Sequence, residues 1–534
     1  MDNEYSYQLN LKNLFSNTLR NYGDREINYR NKEKYTFREF YNRVSGLAAG
    51  LESIGVKKGD IVAVIDWDTN RYMECYFAIP MLGAIMHTVN IRYPPELIYY
   101  TMHHAEDKYV ILRDEFLPVL EKSQSLFDFV SAWIVYNEDH KPISTTLKPF
   151  YNYDDLVLKT KYEFPDLDEN TTSTIFYTSG TTGMPKGVTF TQRNLTMHTL
   201  ALQEGLTIPP LNLTNQDVFM TLVPMFHVHS WGIPYLAYLA GYKYVLPGRY
   251  DVPTMLNLIK SEKVTFSAMV PSILYMILTS PNIEDYREYL SKWKVIIGGA
   301  ALPKGLALKA KSLGITTIGA YGLSETAPLL TVALFNDKVI NLPEYQKFEY
   351  MISTGIPVPM VDLKVVDQNF TEVPWDSKSV GEIVVHAPWL TKGYYKDPEK
   401  SKALWKHGWL NTGDLAVVDN KGYITIVDRE KDAVKSGGEF IPSLVLENVI
   451  SECKGVGEVA VIGAPSEKWG ERPVAFITVV SDIKDKDVYD HLDKYVEVGR
   501  IQKWWVPDKI TIIDTMPKSS TGKIDKKELR SKVK

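Results

Sequence analysis

A chain of 534 residues exceeds one ordinary domain and points to several, or to one large and one small. At 45% hydrophobic residues it buries a large core, and 60 basic against 65 acidic side chains leave only −5, which excludes disorder as the main state and any global field for nucleic acid or an anionic membrane. The two cysteines, Cys75 and Cys453, form neither a metal-type spacing nor a disulfide framework and fit a reducing compartment.

The first residues, MDNEYSYQLNLKNLF, are acidic and polar, without the basic region and apolar run of a signal peptide. No run reaches the roughly 18 apolar residues of a membrane span, so the expectation is a cytoplasmic protein without an integral membrane segment. Short apolar, β-branched runs then recur with helical stretches between them: Ile61–Ile65, Tyr109–Leu112, Trp133–Tyr136, Thr174–Tyr177, Val295–Ile297 and Thr316–Ile318. This alternation predicts an α/β fold of layered, parallel-rich sheets. After about residue 340 come short strands with Asp/Asn/Lys/Gly turns, predicting a β-rich, hairpin-containing section. The charged break at Asp428–Asp432 marks a boundary. Residues 1–428 are expected to form a large multi-subdomain N-terminal unit, 429–433 a hinge, and 434–534 a small mobile α+β domain. Within the last, a helix over Ser443–Glu452, strands Glu458–Ile462 and Val474–Val480, a helix near Val488–Val496, a strand at Lys509–Ile513 and a terminal helix are predicted.

Tyr177 to Val188, YTSGTTGMPKGV, has the composition of a polyphosphate loop. Glycines allow close backbone approach, hydroxyls and amides donate to oxygens, and Lys186 offsets negative charge. Pro185 and Gly187 flank that lysine, so it is not a Walker A loop, and no G-x-G-x-x-G is formed. Position after a strand suits ligand binding beyond the carboxyl ends of an α/β sheet. Gly298-Gly299-Ala300-Ala301 is a strand-to-helix turn of small residues, and GAYGLSET (Gly319–Thr326) a flexible segment carrying an aromatic, a hydroxyl and a carboxylate. Asp414 of TGD, with Arg429 fifteen positions on, can take hydrogen bonds from and give them to paired hydroxyls, although a lone Asp in a turn is ordinarily an Asx turn. Lys523 lies in PKSSTGKIDKKELR among other solvated lysines.

With VPMFHVHSWG (Val223–Gly232) and VKSGGEFIPS (Val434–Ser443) added, these motifs, in this order, resemble the acyl- and aryl-adenylating superfamily of acyl-CoA synthetases, luciferases and peptide-synthetase adenylation domains. The resemblance spans nearly the whole chain and looks most like medium- and long-chain fatty acyl-CoA synthetases. It implies that Thr178, Ser179, Gly180, Thr181, Thr182, Gly183 and Lys186 hold the ATP phosphates, with Thr181 and Glu325 on Mg²⁺. It implies that Gly299, Ala300 and Ala301 line the adenine, and that Gly319, Ala320, Tyr321, Gly322 and Ser324 form the nucleotide segment, with Tyr321 stacked on the base and Ser324 on the α-phosphate. Asp414 and Arg429 would hold the ribose, and Lys523 would reach the α-phosphate and carboxylate as the catalytic cation. Lys431 matches the hinge, and Lys435, Gly437 and Gly438 the thiol tunnel for coenzyme A. Among pocket residues, His227, Val228 and Trp231 match the acyl site, with the tryptophan as gate. Gly322 stands where acetate-specific relatives carry tryptophan, and is expected to leave space for longer acids.

The implied activity is an AMP-forming carboxylic acid–CoA ligase with a medium-chain fatty acid as first expectation. His229 and Ser230 replace the more usual Asn and Ala, which keeps a short or hydroxylated acid open; a stand-alone adenylating enzyme that loads a carrier protein is the other alternative. A His227/His229 metal pair lacks a third ligand of sensible spacing. Homodimers are frequent among such relatives.

Overall fold

The computed structural model describes residues 7–157, 160–178, 184–430, 432–437 and 439–533. Among them, four sheets carry the architecture. The first is seven-stranded, in the order Phe150–Asn152, Ala132–Tyr136, Tyr109–Arg113, Ile61–Ile65, Ile85–Thr88, Thr172–Thr178, Lys186–Thr191. All its neighbours are parallel except the last pair, a hairpin. IVAVI at 61–65 is buried at every position, the signature of a strand covered on both faces.

The second sheet is nine-stranded, with a parallel interior of Glu26–Tyr29, Lys243–Leu246, Val218–Thr221, Phe266–Met269, Lys294–Ile297 and Thr316–Gly322 and antiparallel strands at both edges. Several helices start on side-chain caps, such as the reciprocal Thr36/Glu39 and Thr191/Asn194 boxes, which satisfy first-turn N–H groups. A third, antiparallel five-stranded sheet over 362–429 is the expected β-rich section. The chain from 434 onward makes a five-stranded mixed sheet flanked by the helices Ser443–Ser451 and Asp485–Glu497.

Two apolar clusters lie between Leu11 and Ile424, the larger spanning that range and the smaller on one face of the seven-stranded sheet from Ile61 to Tyr177, and two more lie between Val434 and Leu529, with none shared across the two ranges. Independent cores are what two folding units require. The strand Ile424–Arg429 pairs through Arg429 with Asp414, so the first residue of the expected hinge is sheet backbone of the large unit. Lys431 lies outside the described residues. No described helix is long and apolar enough to cross a membrane.

The predicted strands fall in place with small extensions, and one element differs in kind. GAYG is not a flexible segment after a strand; Gly319–Gly322 are the last residues of the strand Thr316–Gly322. A Cβ at Gly319 would meet the Ser353 carbonyl oxygen at 2.1 Å, so glycine is there to let backbone approach backbone.

Candidate active site

Four of the segments expected to bear chemistry follow the carboxyl end of a strand of a parallel-rich sheet, after Thr178, Thr221, Ile297 and Gly322, whereas Asp414 and Arg429 are partners in the antiparallel sheet. Thr178 and Lys186 are cross-strand partners in the antiparallel pair that ends this sheet. Ser179, Gly180, Thr181, Thr182 and Gly183 lie outside the described residues.

Tyr321, Asp414 and Arg429 meet around one buried carboxylate, that of Asp414. Tyr321 donates its hydroxyl to Asp414 Oδ2 at 2.7 Å, and Arg429 Nε donates to Oδ1 at 3.0 Å. Asp414 pushes the Arg429 pKa up, and burial beside Asp414 pushes the Tyr321 phenol well up, so one stays cationic and the other a donor. Each carboxylate oxygen keeps a lone pair for a further hydroxyl.

Lys523 is brought into this cleft from the small unit. Ser272 donates to the Gly522 carbonyl at 2.7 Å, and Asn90 Nδ2 donates to Ser520 Oγ at 3.1 Å, tying its loop to the large unit. Loss of solvent, then the nearby Arg429, depress the Lys523 pKa to about 8, while Asp414 and Glu325 oppose the shift. A Cβ at Gly299 would lie 3.1 Å from Lys523 Cε, and one at Gly298 3.1 Å from the Trp231 ring. These glycines therefore make room for the lysine and the tryptophan. Ala300 and Ala301 are exposed beyond them, and Ala320 and Ser324 are half-buried.

His227 sits beside Lys523. Desolvation and that cation drive its pKa down to about 3, so it is a neutral imidazole that cannot act as an acid at physiological pH. The next five residues, Val228 to Gly232, all have positive φ, from 37° to 75°. A left-handed run of non-glycine residues costs about 1–2 kcal/mol at each position, and such strain persists only where the surroundings enforce it. Here Ser230 donates to the Val223 carbonyl at 2.7 Å and meets Thr221 Oγ1 at 2.8 Å, while His229 Nε2 lies 2.7 Å from Thr174 Oγ1. That corrects the expectation that His229 and Ser230 offer polar groups to an acid: both face inward and hold the turn. Its product is the placement of Trp231, buried over Gly298 and Gly299, with Val228 buried beneath.

Gly322 also needs correction. A Cβ there would stand 1.8 Å from the Pro328 carbonyl oxygen, so the missing side chain permits strand approach at a bulge and does not face open acyl space.

No local sequence pattern marks the clamp behind His227. Asp68 accepts the Met225 N–H at 2.8 Å and the Tyr250 hydroxyl at 2.5 Å; Tyr76 donates to the Met225 carbonyl, and Thr88 to that of Phe226 at 3.0 Å. None marks Tyr394 either, whose hydroxyl donates to Glu325 Oε1 at 2.7 Å and whose ring carries the Lys186 ammonium at 4.4 Å. Among the described residues Glu325 has no cationic partner, and no cluster of three or more metal-ligating side chains exists. A single half-buried carboxylate with one oxygen unclaimed fits a magnesium ion that takes its remaining oxygens from phosphate and water, and fits no all-protein cage.

Lys435 and Gly437 are not brought to this cleft. Their partners belong to the small unit: the Lys435 N–H donates to Glu471 at 3.0 Å, its ammonium lies 5.5 Å from the exposed Phe440 ring, and the Gly437 N–H donates to the Trp469 carbonyl at 2.8 Å. Gly438 lies outside the described residues.

The AMP-binding enzyme family matches residues 15–395, and the AMP-binding enzyme C-terminal domain matches 445–523. The chain belongs to the AMP-binding enzyme family. It is 35% identical over 540 residues to a long-chain-fatty-acid–CoA ligase of Thermus thermophilus, covering 99% of this chain and 96% of that one. It is 33% identical to a medium-chain-fatty-acid–CoA ligase of Ectopseudomonas oleovorans, over 98% and 96% of the two chains. In fold it is similar to an anthranilate CoA ligase solved with anthranoyl-AMP, at 22% identity and a TM-score of 0.86 over 99% and 98% of the chains. This family member is an AMP-forming acid–thiol ligase, with ATP and CoA as cosubstrates.

Proposed function

We propose that this ligase activates a medium-chain fatty acid, and that the residues around the cleft divide the work of two half-reactions. The observation that carries the reading is the convergence of Lys523 with the Tyr321–Asp414–Arg429 group, next to Glu325. A carboxylate oxygen attacks the α-phosphorus of ATP, and the bond to the bridging oxygen of pyrophosphate breaks. Two anions meet in that step, and a fixed cation at the reacting atoms is what lowers its barrier. Lys523 supplies it, Asp414 and Arg429 hold the ribose, and Lys186 with the loop 179–183 holds the leaving pyrophosphate. Glu325 and Thr181 would hold Mg²⁺, which when bound neutralises phosphate charge.

In the second step a thiolate attacks the acyl carbon and the acyl–phosphate bond breaks, releasing AMP. The docked position of Lys523, with Lys435 and Gly437 exposed elsewhere, suits the first step; rotation about the segment that follows Arg429 would present the second set to CoA.

Trp231 and Val228 form the apolar wall nearest the reacting groups, and the similarity to fatty-acid ligases supports an aliphatic acid. Ser230 is claimed by Val223 and Thr221 and His229 Nε2 by Thr174, which leaves His229 Nδ1 as the one atom of the pair free to meet a hydroxylated acid. Each buried methylene is worth about 0.8 kcal/mol, or about fourfold in kcat/KM. The test is pyrophosphate release and thioester formation with straight-chain acids from acetate to palmitate. The reading expects kcat/KM to climb by that step to a maximum near octanoate. A maximum at acetate, or a preference for hydroxy acids, would contradict it.

A further inference from the structure

Lys186 and Glu325 carry opposite charges and flank the same aromatic ring, yet among the described residues neither is in an ion pair. The ring belongs to Tyr394. Its segment is fastened on several sides: Tyr394 N–H donates to Ser401 Oγ at 2.8 Å, Tyr395 N–H to the Gly187 carbonyl at 2.8 Å, and Thr391 Oγ1 to the Thr189 carbonyl at 3.0 Å. Thr391 N–H also donates to the Glu325 carbonyl at 3.0 Å. The loop 389–397 is thus stitched to the strand bearing Lys186 on one side and to the turn bearing Glu325 on the other. Tyr394 stands between them as a fixed spacer.

We propose that Tyr394 is a positioning residue for the metal–nucleotide site, resting on the ligase reading above. Its ring seats the Lys186 ammonium, its hydroxyl occupies Glu325 Oε1, and it keeps the two charges from neutralising each other. Oppositely charged side chains that meet in a partly desolvated cleft bind one another more strongly than in water, and a Lys186–Glu325 pair would compete with phosphate for the lysine and with the cation for the carboxylate. A cation over an aromatic face is held weakly enough to be surrendered to a phosphate. A carboxylate with one oxygen claimed by a phenol presents the other in a set direction, as carboxylate ligands do when an outer hydrogen bond orients them.

The test uses the full-length protein, a non-hydrolysable ATP analogue and a titration of free magnesium, with binding read by calorimetry. Tyr394→Phe keeps the ring and removes the hydroxyl. It is expected to raise the magnesium concentration needed for half-maximal analogue affinity by about tenfold, the usual loss on removing an outer-shell partner, with the melting temperature and the KM for acid unchanged. Tyr394→Ala also removes the spacer and is expected to weaken analogue binding further, even at saturating magnesium. If Tyr394→Phe keeps the wild-type magnesium dependence, or loses affinity by the same factor in the presence of a chelator, the positioning role is overturned. If the wild-type protein fails to bind the analogue at all, the ligase reading itself falls.

Discussion

The depressed pKa of Lys523 turns nucleotide binding into a proton-uptake reaction. In the free protein the ammonium is held at about 8 by desolvation and by Arg429. On the proposed placement, the phosphates of ATP would favour the charged form and return the pKa toward the ordinary lysine value. At pH 8.5 the free group is then about three-quarters neutral, so binding takes up about 0.7 proton; at pH 7 it is about one-tenth neutral, and uptake falls to about 0.1. The perturbation is Lys523→Met, which keeps the stem and deletes the titrating group. The assay is calorimetric titration with a non-hydrolysable ATP analogue in two buffers of different ionisation enthalpy, at both pH values. The wild-type-minus-variant difference isolates Lys523 from protons carried by the nucleotide. Equal uptake in the two proteins at pH 8.5 would refute the placement of Lys523 against the phosphates.

Asp66 and Asp68 are both raised to about 7 by burial. A folded-state pKa above the unfolded one means that the fold binds extra protons, so their contribution is complete below about pH 4 and is lost as pH rises through about 7. Asp68→Asn, which mimics the protonated acid, should narrow the melting-temperature gap between pH 5 and pH 8; an unchanged gap would refute that assignment. Asp68→Ala should cost about 1–3 kcal/mol by orphaning the Met225 N–H, seen in denaturant unfolding. Gly305 packs against the small unit, where a Cβ would lie 2.0 Å from the Ser451 carbonyl oxygen. Gly305→Ala is therefore expected to slow adenylation while sparing thioester formation from added acyl-adenylate, and equal slowing of both steps would count against it. Gly322→Trp should lower the yield of folded protein, because its Cβ collides with backbone; a stable variant with a shortened acid preference would restore the open-space reading.

The fold was legible where chemistry and periodicity agreed. IVAVI, WIVY and TIFY read as buried strands, and they lie within the strands Ile61–Ile65, Ala132–Tyr136 and Thr172–Thr178. Tyr321, Asp414 and Arg429, each in a short and unusual string, are residues that the fold does bring together. What could not be read is instructive in physical terms. Gly322 looked like vacant space because a sequence shows a missing side chain but not the Pro328 carbonyl it would strike. His229 and Ser230 looked available because polarity is visible and φ is not; the left-handed turn points them at Thr174 and Val223. Asp68 and Tyr394 act from 157 and 69 positions away from Met225 and Glu325, and no local pattern announces such a pairing.

The central claim is that the acid becomes an acyl-adenylate before it becomes a thioester. Octanoate labelled with heavy oxygen in its carboxylate, incubated with ATP and CoA, tests this most directly. Attack on the α-phosphorus transfers one labelled oxygen to the phosphate of AMP, and mass spectrometry of the AMP is predicted to show one heavy atom per turnover. Label in inorganic phosphate with ADP as the nucleotide product, or AMP free of label, would contradict the account.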